Sequence, residues 1–468
     1  MLDYLFIHGT VVTVNARREI IADGAIGIRG DQIEAVGPTE ELLATYGGAR
    51  KVIDVQGKAV FPGLINTHNH LFQSLLKGLG DDRVLKDWLA YMTFPSAAFL
   101  TPEDTYYGAI LGCLDGLHSG TTTMVDFMYP HCCPGLSDGI LTAFRELGVR
   151  AVYGRGMMNT GERYGVPRAI MQDVDTVETD CRRLFREFHQ VDNGKIEIWL
   201  APAAVWSNTK EMLLKVKELA REYNTGIMVH ISETPFDRDA SCAEHGLPDI
   251  DVLEQLGMLG PKTLMVHCVY LTDRDVRLTK FFDARVSYNP VSNMYLSSGV
   301  APIPKLLGWG VTVGLATDGA ASNNSNDMLE ALKFAALLLK VAHLDPTVIT
   351  AEKVLEMATI DAARALGLED RIGSLEVGKK ADLFIFNPLR TAKATPMHNP
   401  VSTLVYSASP ENIELVMIDG RVVLEDGRVT TVNEASKIKE ANEKAYKLAE
   451  RAGTLRFAIE RPWRSLAY

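Results

Sequence analysis

Between residues 60 and 375 the chain repeats one unit about eight times, a short run rich in Val, Ile and Thr followed by a longer segment with helical spacing of apolar residues. TTTMVDF precedes SDGILTAFRELG, IEIWLAPAA precedes TKEMLLKVKELAREY, TLMVHCVY precedes DRDVRLTKFF, and VTVGLATDG precedes NDMLEALKFAALLLKVA. Parallel strands need crossover connections, and a strand–helix unit repeated this often closes most simply into a (β/α)8 barrel, a TIM-type α/β fold. A doubly wound open sheet is the competing architecture. Against it, no G-x-G-x-x-G turn follows an early strand, and polar residues gather at the C-terminal ends of many different strands.

The two chain ends have another texture. YLFIHGTVVTVN, GAIGIRGDQIEAVG and KVIDVQGKAVF near the start, and GSLEVGKKADLFIFNP and IELVMIDGRVVLEDGRV near the end, are β-type runs broken by turns. They are expected to build one small β-sandwich domain, with residues 1–59 and 376–432 flanking a barrel of 60–375. In the last segment, 433–468, a helix is expected to pack through Ile438, Ala441, Ala445, Leu448 and Ala452.

Charge and composition remove several classes of function. Lys plus Arg number 48 against 59 Asp plus Glu, a formal charge of -11 without a basic run, so a nucleic acid polymer is not an expected partner. No segment approaches the ~20 apolar residues of a membrane span, and the six cysteines show no C-x-x-C pair or regular spacing, so a cytoplasmic chain with reduced thiols is expected.

FPGLINTHNH places His68 and His70 one residue apart behind a Pro-Gly turn. Residues i and i+2 of a strand share a side, so two imidazoles can meet one cation at a barrel mouth. Alone, H-x-H fits two ordinary polar residues equally well. VHISE adds His230 and Glu233, VHCVY adds His267, and VGLATDGAASNN adds Asp318, each just after an apolar run. Such a set of strand ends points to a metal centre rather than to isolated hydrogen-bonded core residues.

These motifs, with SYNPVSNMYLSSGVAPI and IGSLEVGKKADLFIFN, resemble the amidohydrolase superfamily, in its branch of aminohydrolases and triazine hydrolases. The branch includes guanine and 8-oxoguanine deaminases, methylthioadenosine and S-adenosylhomocysteine deaminases, and chlorotriazine hydrolases. The resemblance implies one divalent ion, Zn²⁺ foremost with Fe²⁺ as the alternative, held by His68, His70, His230 and Asp318. It implies Glu233 as proton shuttle, His267 as the residue orienting the attacking water, and a homodimer or larger homo-oligomer. Three imidazoles and one carboxylate leave the ion a net positive charge, which acidifies a water, and Asp318 can take that water's proton. Glu233 favours expulsion of an amine, which needs protonation, over expulsion of chloride, which does not.

The expected reaction is hydrolytic deamination of a small nitrogen heterocycle: a purine, pteridine, pyrimidine or aminotriazine. Gln73, three residues after His70, matches a glutamine of the guanine and triazine enzymes and can pair with a heterocycle edge. Nucleoside-type relatives carry a Glu where this chain has Ala97 in FPSAAF, and a Pro-His step where APAAVW has Ala203. A nucleoside is therefore the second choice of substrate, beside a triazine losing chloride or alkylamine. Trp88, Arg155, His131, Trp206 and Asn293 are further substrate-binding candidates, Cys132 and Cys133 carry no assigned role, and His118 reads as packing. A catalytically silent barrel used for binding is the remaining class, and it would be expected to have lost ligand positions that this chain keeps.

Overall fold

The computed structural model of the chain describes residues 1–47 and 49–460. Five strands come first, β1 (Tyr4–Val12), β2 (Ile20–Arg29), β3 (Gln32–Pro38), β4 (Lys51–Asp54) and β5 (Ala59–Pro62). Eight parallel strands follow: β6 (Leu64–Asn66), β7 (Thr121–Met128), β8 (Arg150–Met157), β9 (Ile196–Pro202), β10 (Ile227–Ile231), β11 (Thr263–His267), β12 (Arg285–Tyr288) and β13 (Val313–Leu315). The chain ends with β14 (Leu383–Phe386), β15 (Ile413–Ile418), β16 (Arg421–Glu425) and β17 (Arg428–Val429).

Strands β6 to β13 pair strictly with their sequence neighbours. The sheet curls until first and last meet, where Thr67 N–H donates to the Leu315 carbonyl at 3.2 Å and Asp318 N–H to that of His68 at 3.1 Å. The α/β barrel expected from the repeating units is thus formed. Its strands lie between barrel interior and outer helices, so both faces are covered and all eight residues of β7 and of β8 are buried. The helices start where their caps dictate. Thr101 with Asp104 and Thr272 with Asp275 form capping boxes, satisfying N–H groups that would otherwise lack partners.

The nine remaining strands hydrogen-bond into one mixed sheet in which β5 joins β1 on one side and β14 on the other, which unites the two chain ends. The sheet bends back on itself. Gln32 of the β2–β3 hairpin bridges Lys380 ahead of β14, enclosing a separate apolar core that includes Phe6, Ile26, Val60, Leu383 and Met417. Arg150, at the start of β8, fastens this sheet to the barrel. Its buried guanidinium donates to Asp382 at 2.7 and 3.1 Å and to Asp419 at 2.5 Å.

The terminal helix Glu434–Arg451 packs against the helix Pro102–His118. Its inward face differs by part of a turn from the expected one: Ala441, Leu448 and Ala449 are buried, while Ile438 is 46% exposed. His118 is not simply packing, because its Nε2 lies 2.6 Å from Glu434 and ties the two helices together. The last residues of the expected tail, 461–468, lie outside the described residues. No helix among the described residues is long and apolar enough to cross a membrane.

Candidate metal centre

Each residue of the centre sits at or just beyond the C-terminal end of a barrel strand. His68 and His70 follow β6, His230 lies within β10, His267 ends β11, and Asp318 stands three residues after β13. The β6 ladder stops at Asn66, and the two histidines leave it in irregular backbone, so their rings meet edge to face, 4.6 Å apart, rather than side by side. Donor atoms of His68, His70 and Asp318 all lie within 4.8 Å of one another, as do those of His68, His230 and His267. Asp318 Oδ1 is 3.3 Å from His68 Nε2 and 3.5 Å from His70 Nε2.

The tautomers follow from the outer contacts. His70 Nδ1 donates to the Phe127 carbonyl at 2.6 Å and His230 Nδ1 to the Ala203 carbonyl at 2.5 Å. Both Nε2 atoms are then bare lone pairs, and they face each other at 3.2 Å. Burial pushes the His70 pKa down to about 3 and that of His230 well below the ordinary range, so no proton relieves the approach. His68 is completely buried, and neither ring nitrogen has a hydrogen-bond partner. Converging lone pairs, an orphaned imidazole and a carboxylate make a donor set that a divalent cation satisfies. Burial pushes Asp318 up, yet the close approach of the surrounding histidines, His68 foremost, outweighs it and holds the carboxyl well below the usual range. Ser292 donates to its Oδ2 at 2.6 Å and the Gly319 N–H to its Oδ1 at 2.7 Å.

Glu233 and His267 form the adjoining pair, Oε2 to Nε2 at 3.5 Å. Burial pushes the Glu233 pKa up to about 7, with the nearby Asp237 and Asp318 carboxylates adding to the rise. Ser298 donates to Glu233 Oε1 at 3.0 Å, and Asn293 Oδ1 lies 3.0 Å from His267 Nδ1. These supports come from the helix Pro290–Tyr295 and the turn after it.

A cavity opens over this cluster. Leu85, Trp88, Leu89, Phe94, Met158, Trp206 and Leu296 form its apolar wall, and among the described residues none that lines it is Lys or Arg. Gln73 is fully buried at its edge, donating to Tyr129 at 3.3 Å while its Oε1 has no partner. The carboxamide comes so close to residue 319 that any Cβ there would meet Oε1 at 2.1 Å, which explains the glycine after Asp318. Trp88 lines the cavity, its indole N–H donating to the Ala321 carbonyl at 3.0 Å.

Three substrate-binding candidates lie elsewhere. Asn293 acts on His267 and does not line the cavity. Arg155 points out of the barrel, pairing with Asp180 at 3.0 Å and with the Gly156 carbonyl. His131 sits beside Ser137 and, like Arg155, borders a separate surface depression that also holds Cys132 and Cys133. Ser292, Ser298, Tyr129 and the apolar wall apart from Trp88 and Trp206 were not singled out by the sequence. Ser292 and Ser298 do fall inside SYNPVSNMYLSSGVAPI, but no local spacing links them to residues 318 and 233.

The family model described as "Amidohydrolase family" matches residues 59–423, and a shorter match, to an imidazolonepropionase-like composite domain, covers residues 24–49. The 5'-deoxyadenosine deaminase of Methanobrevibacter smithii is 36% identical over 91% of this chain and 94% of its own length. The 5-methylthioadenosine/S-adenosylhomocysteine deaminase of Desulforudis audaxviator is 38% identical over 91% and 95%. Among solved structures, a zinc-bound adenosine deaminase from Xanthomonas campestris superposes with a TM-score of 0.89 at 28% identity, covering 96% of this chain and 99% of that one. A zinc complex of atrazine chlorohydrolase from Arthrobacter aurescens superposes at 0.88 with 26% identity, covering 94% and 100%. Barrel, centre and comparisons agree: the chain belongs to the amidohydrolase family.

Proposed function

We propose that this chain is a metal-dependent deaminase of adenine-type nucleosides, of the 5'-deoxyadenosine or methylthioadenosine kind. One observation carries the reading: a chain more than a third identical to nucleoside deaminases over nine-tenths of its length keeps a buried His68, His70 and Asp318 and a half-buried His230 beside Glu233 and His267. The relatives reverse the order of preference drawn from sequence, in which a free heterocycle came first. The two departures that weigh against a nucleoside are also less telling in three dimensions. Ala97 is buried without lining the cavity, and at residue 203 the backbone carbonyl, available whatever the side chain, holds His230.

His68, His70, His230 and Asp318 would hold the ion, with Zn²⁺ favoured by the zinc-bound structural relatives. When bound, it supplies Lewis-acid activation of a water. Asp318 then accepts that water's proton, and His267, fixed by Asn293, orients the oxygen towards the amino-bearing ring carbon. The Glu233 carboxyl, neutral up to about pH 7, donates its proton to the adjacent ring nitrogen, and the proton taken up by Asp318 passes to the departing amine. The apolar wall excludes bulk water and receives the flat base and an uncharged 5' group.

A second reading, removal of an amine or chloride from a base or triazine, draws on the unpartnered Gln73 Oε1 and the likeness to the chlorohydrolase. Ammonia release from 5'-deoxyadenosine, methylthioadenosine, S-adenosylhomocysteine and adenosine, set against guanine, cytosine and melamine, with chloride release from atrazine, tests both. Turnover confined to bases or triazines would overturn the nucleoside proposal.

A further inference from the structure

We infer that Asp249, a buried carboxylate outside the cavity, positions Glu233 by holding the backbone of Ser232 in a left-handed turn. The inference rests on the deaminase reading for its kinetic consequence only. In a regular strand residues 230 and 233 would point to opposite sides, whereas here His230 and Glu233 both line the same cavity. The chain achieves this at Ser232, which has φ +47°. That region is sterically unfavourable for a residue with a Cβ, and glycine, the usual occupant, is absent.

Asp249 supplies what offsets that cost. It opens the helix Asp249–Leu256, is 2% exposed, and accepts from the Ser232 N–H at 2.6 Å and from its hydroxyl at 2.9 Å. Its other local bond, from the Ile250 N–H at 2.9 Å, fixes the carboxylate at the helix start. On the opposite side the Ser232 carbonyl accepts from the Tyr270 N–H at 2.9 Å, in the loop that follows His267. The turn is therefore clamped at both its N–H and its C=O, and the clamp ties Glu233 to the strand end carrying its partner. Among the described residues no Lys or Arg side chain pairs with Asp249; its acceptor capacity is spent on the turn and its own helix.

The test compares Asp249→Ala, Asp249→Asn, Ser232→Gly and the Ser232→Gly/Asp249→Ala double variant. Crystal structures and metal content are read beside kcat, KM and pH profile for ammonia release. In Asp249→Ala, Ser232 is expected to leave the left-handed region and Glu233 to withdraw from His267, with bound metal unchanged. kcat is expected to fall roughly tenfold or more, as misplacement by about 1 Å does, with KM held within about threefold. The alkaline limb of the pH profile should shift with it. Glycine at 232 occupies the turn without strain, so the double variant should recover most of the lost kcat. Asp249→Asn keeps the volume and serves if the alanine variant fails to fold. An unchanged Ser232 turn, metal loss in proportion to activity, or no recovery by Ser232→Gly would overturn the inference. If the wild-type protein released no ammonia from any nucleoside, the functional reading would fall, while the crystallographic outcome would still decide the role of Asp249.

Discussion

Glu233 Oε2 stands 3.5 Å from His267 Nε2, and each partner is held from behind by the same segment of chain, Glu233 by Ser298 and His267 by Asn293. With its pKa raised to about 7, Glu233 carries a proton that an ordinary surface glutamate would have lost near pH 4.5. Deprotonation removes the donor, so kcat/KM for deamination should decline as pH rises through about 7. Glu233→Gln should lower kcat by about 10²–10³, keep the bound metal, and abolish that limb of the profile. Stopped-time ammonia assays across pH check both.

Removing the ion should expose the repulsion built into the donor set. Chelation leaves the His70 and His230 lone pairs facing each other at 3.2 Å without a cation. At free metal about 1,000-fold above Kd, binding contributes about 4 kcal/mol to folding, so the chelated protein should melt several degrees lower and recover on adding Zn²⁺. His68→Ala should show the low melting temperature with or without Zn²⁺, as read by calorimetry and metal analysis.

Among the described residues no Lys or Arg side chain lines the cavity wall, and Glu233, Asp237 and Asp318 all border it. A phosphate entering there would be desolvated among carboxylates. Adenosine 5'-monophosphate should therefore be deaminated with kcat/KM roughly a hundredfold or more below that of 5'-deoxyadenosine. Comparable rates for the two would contradict the observed wall.

Gln73 and Arg155 should part company in mutation. Gln73→Ala removes a cavity-facing amide and should raise KM about tenfold, the effect of one lost polar contact, at constant metal content. Arg155→Met removes a guanidinium that holds Asp180 from behind the barrel wall. It should leave KM unchanged and lower stability to urea by about 1–3 kcal/mol.

What could be read from sequence followed from how far each signal reaches along the chain. His68, His70, His230, His267 and Asp318 were visible because each directly follows an apolar run, and a strand end is a local pattern. Arg155 was ambiguous for a reason the structure makes plain. All eight residues of β8 are buried, so the alternation that separates inward from outward side chains leaves no trace in hydrophobicity. Ser298 and Glu233, or Ser292 and Asp318, meet only because the segments that follow different barrel strands converge at one end of the barrel. The same holds for the bend that brings Gln32 against Lys380. On the terminal helix, small residues at 441, 445, 449 and 452 define a face too weakly for the pattern to fix its rotation, and Ile438 emerged at the surface.

His68 and Asp318 flank the seam where the first and last barrel strands meet, joined there by the bond from Asp318 N–H to the His68 carbonyl. During vectorial synthesis the first histidines leave the ribosome long before the strand that completes their site exists. The nascent chain thus carries an incomplete donor set until Asp318 emerges, and full coordination would arise only with ring closure. Metal capture would then coincide with topological completion, and refolding yield with and without Zn²⁺ is the quantity that would register the coupling.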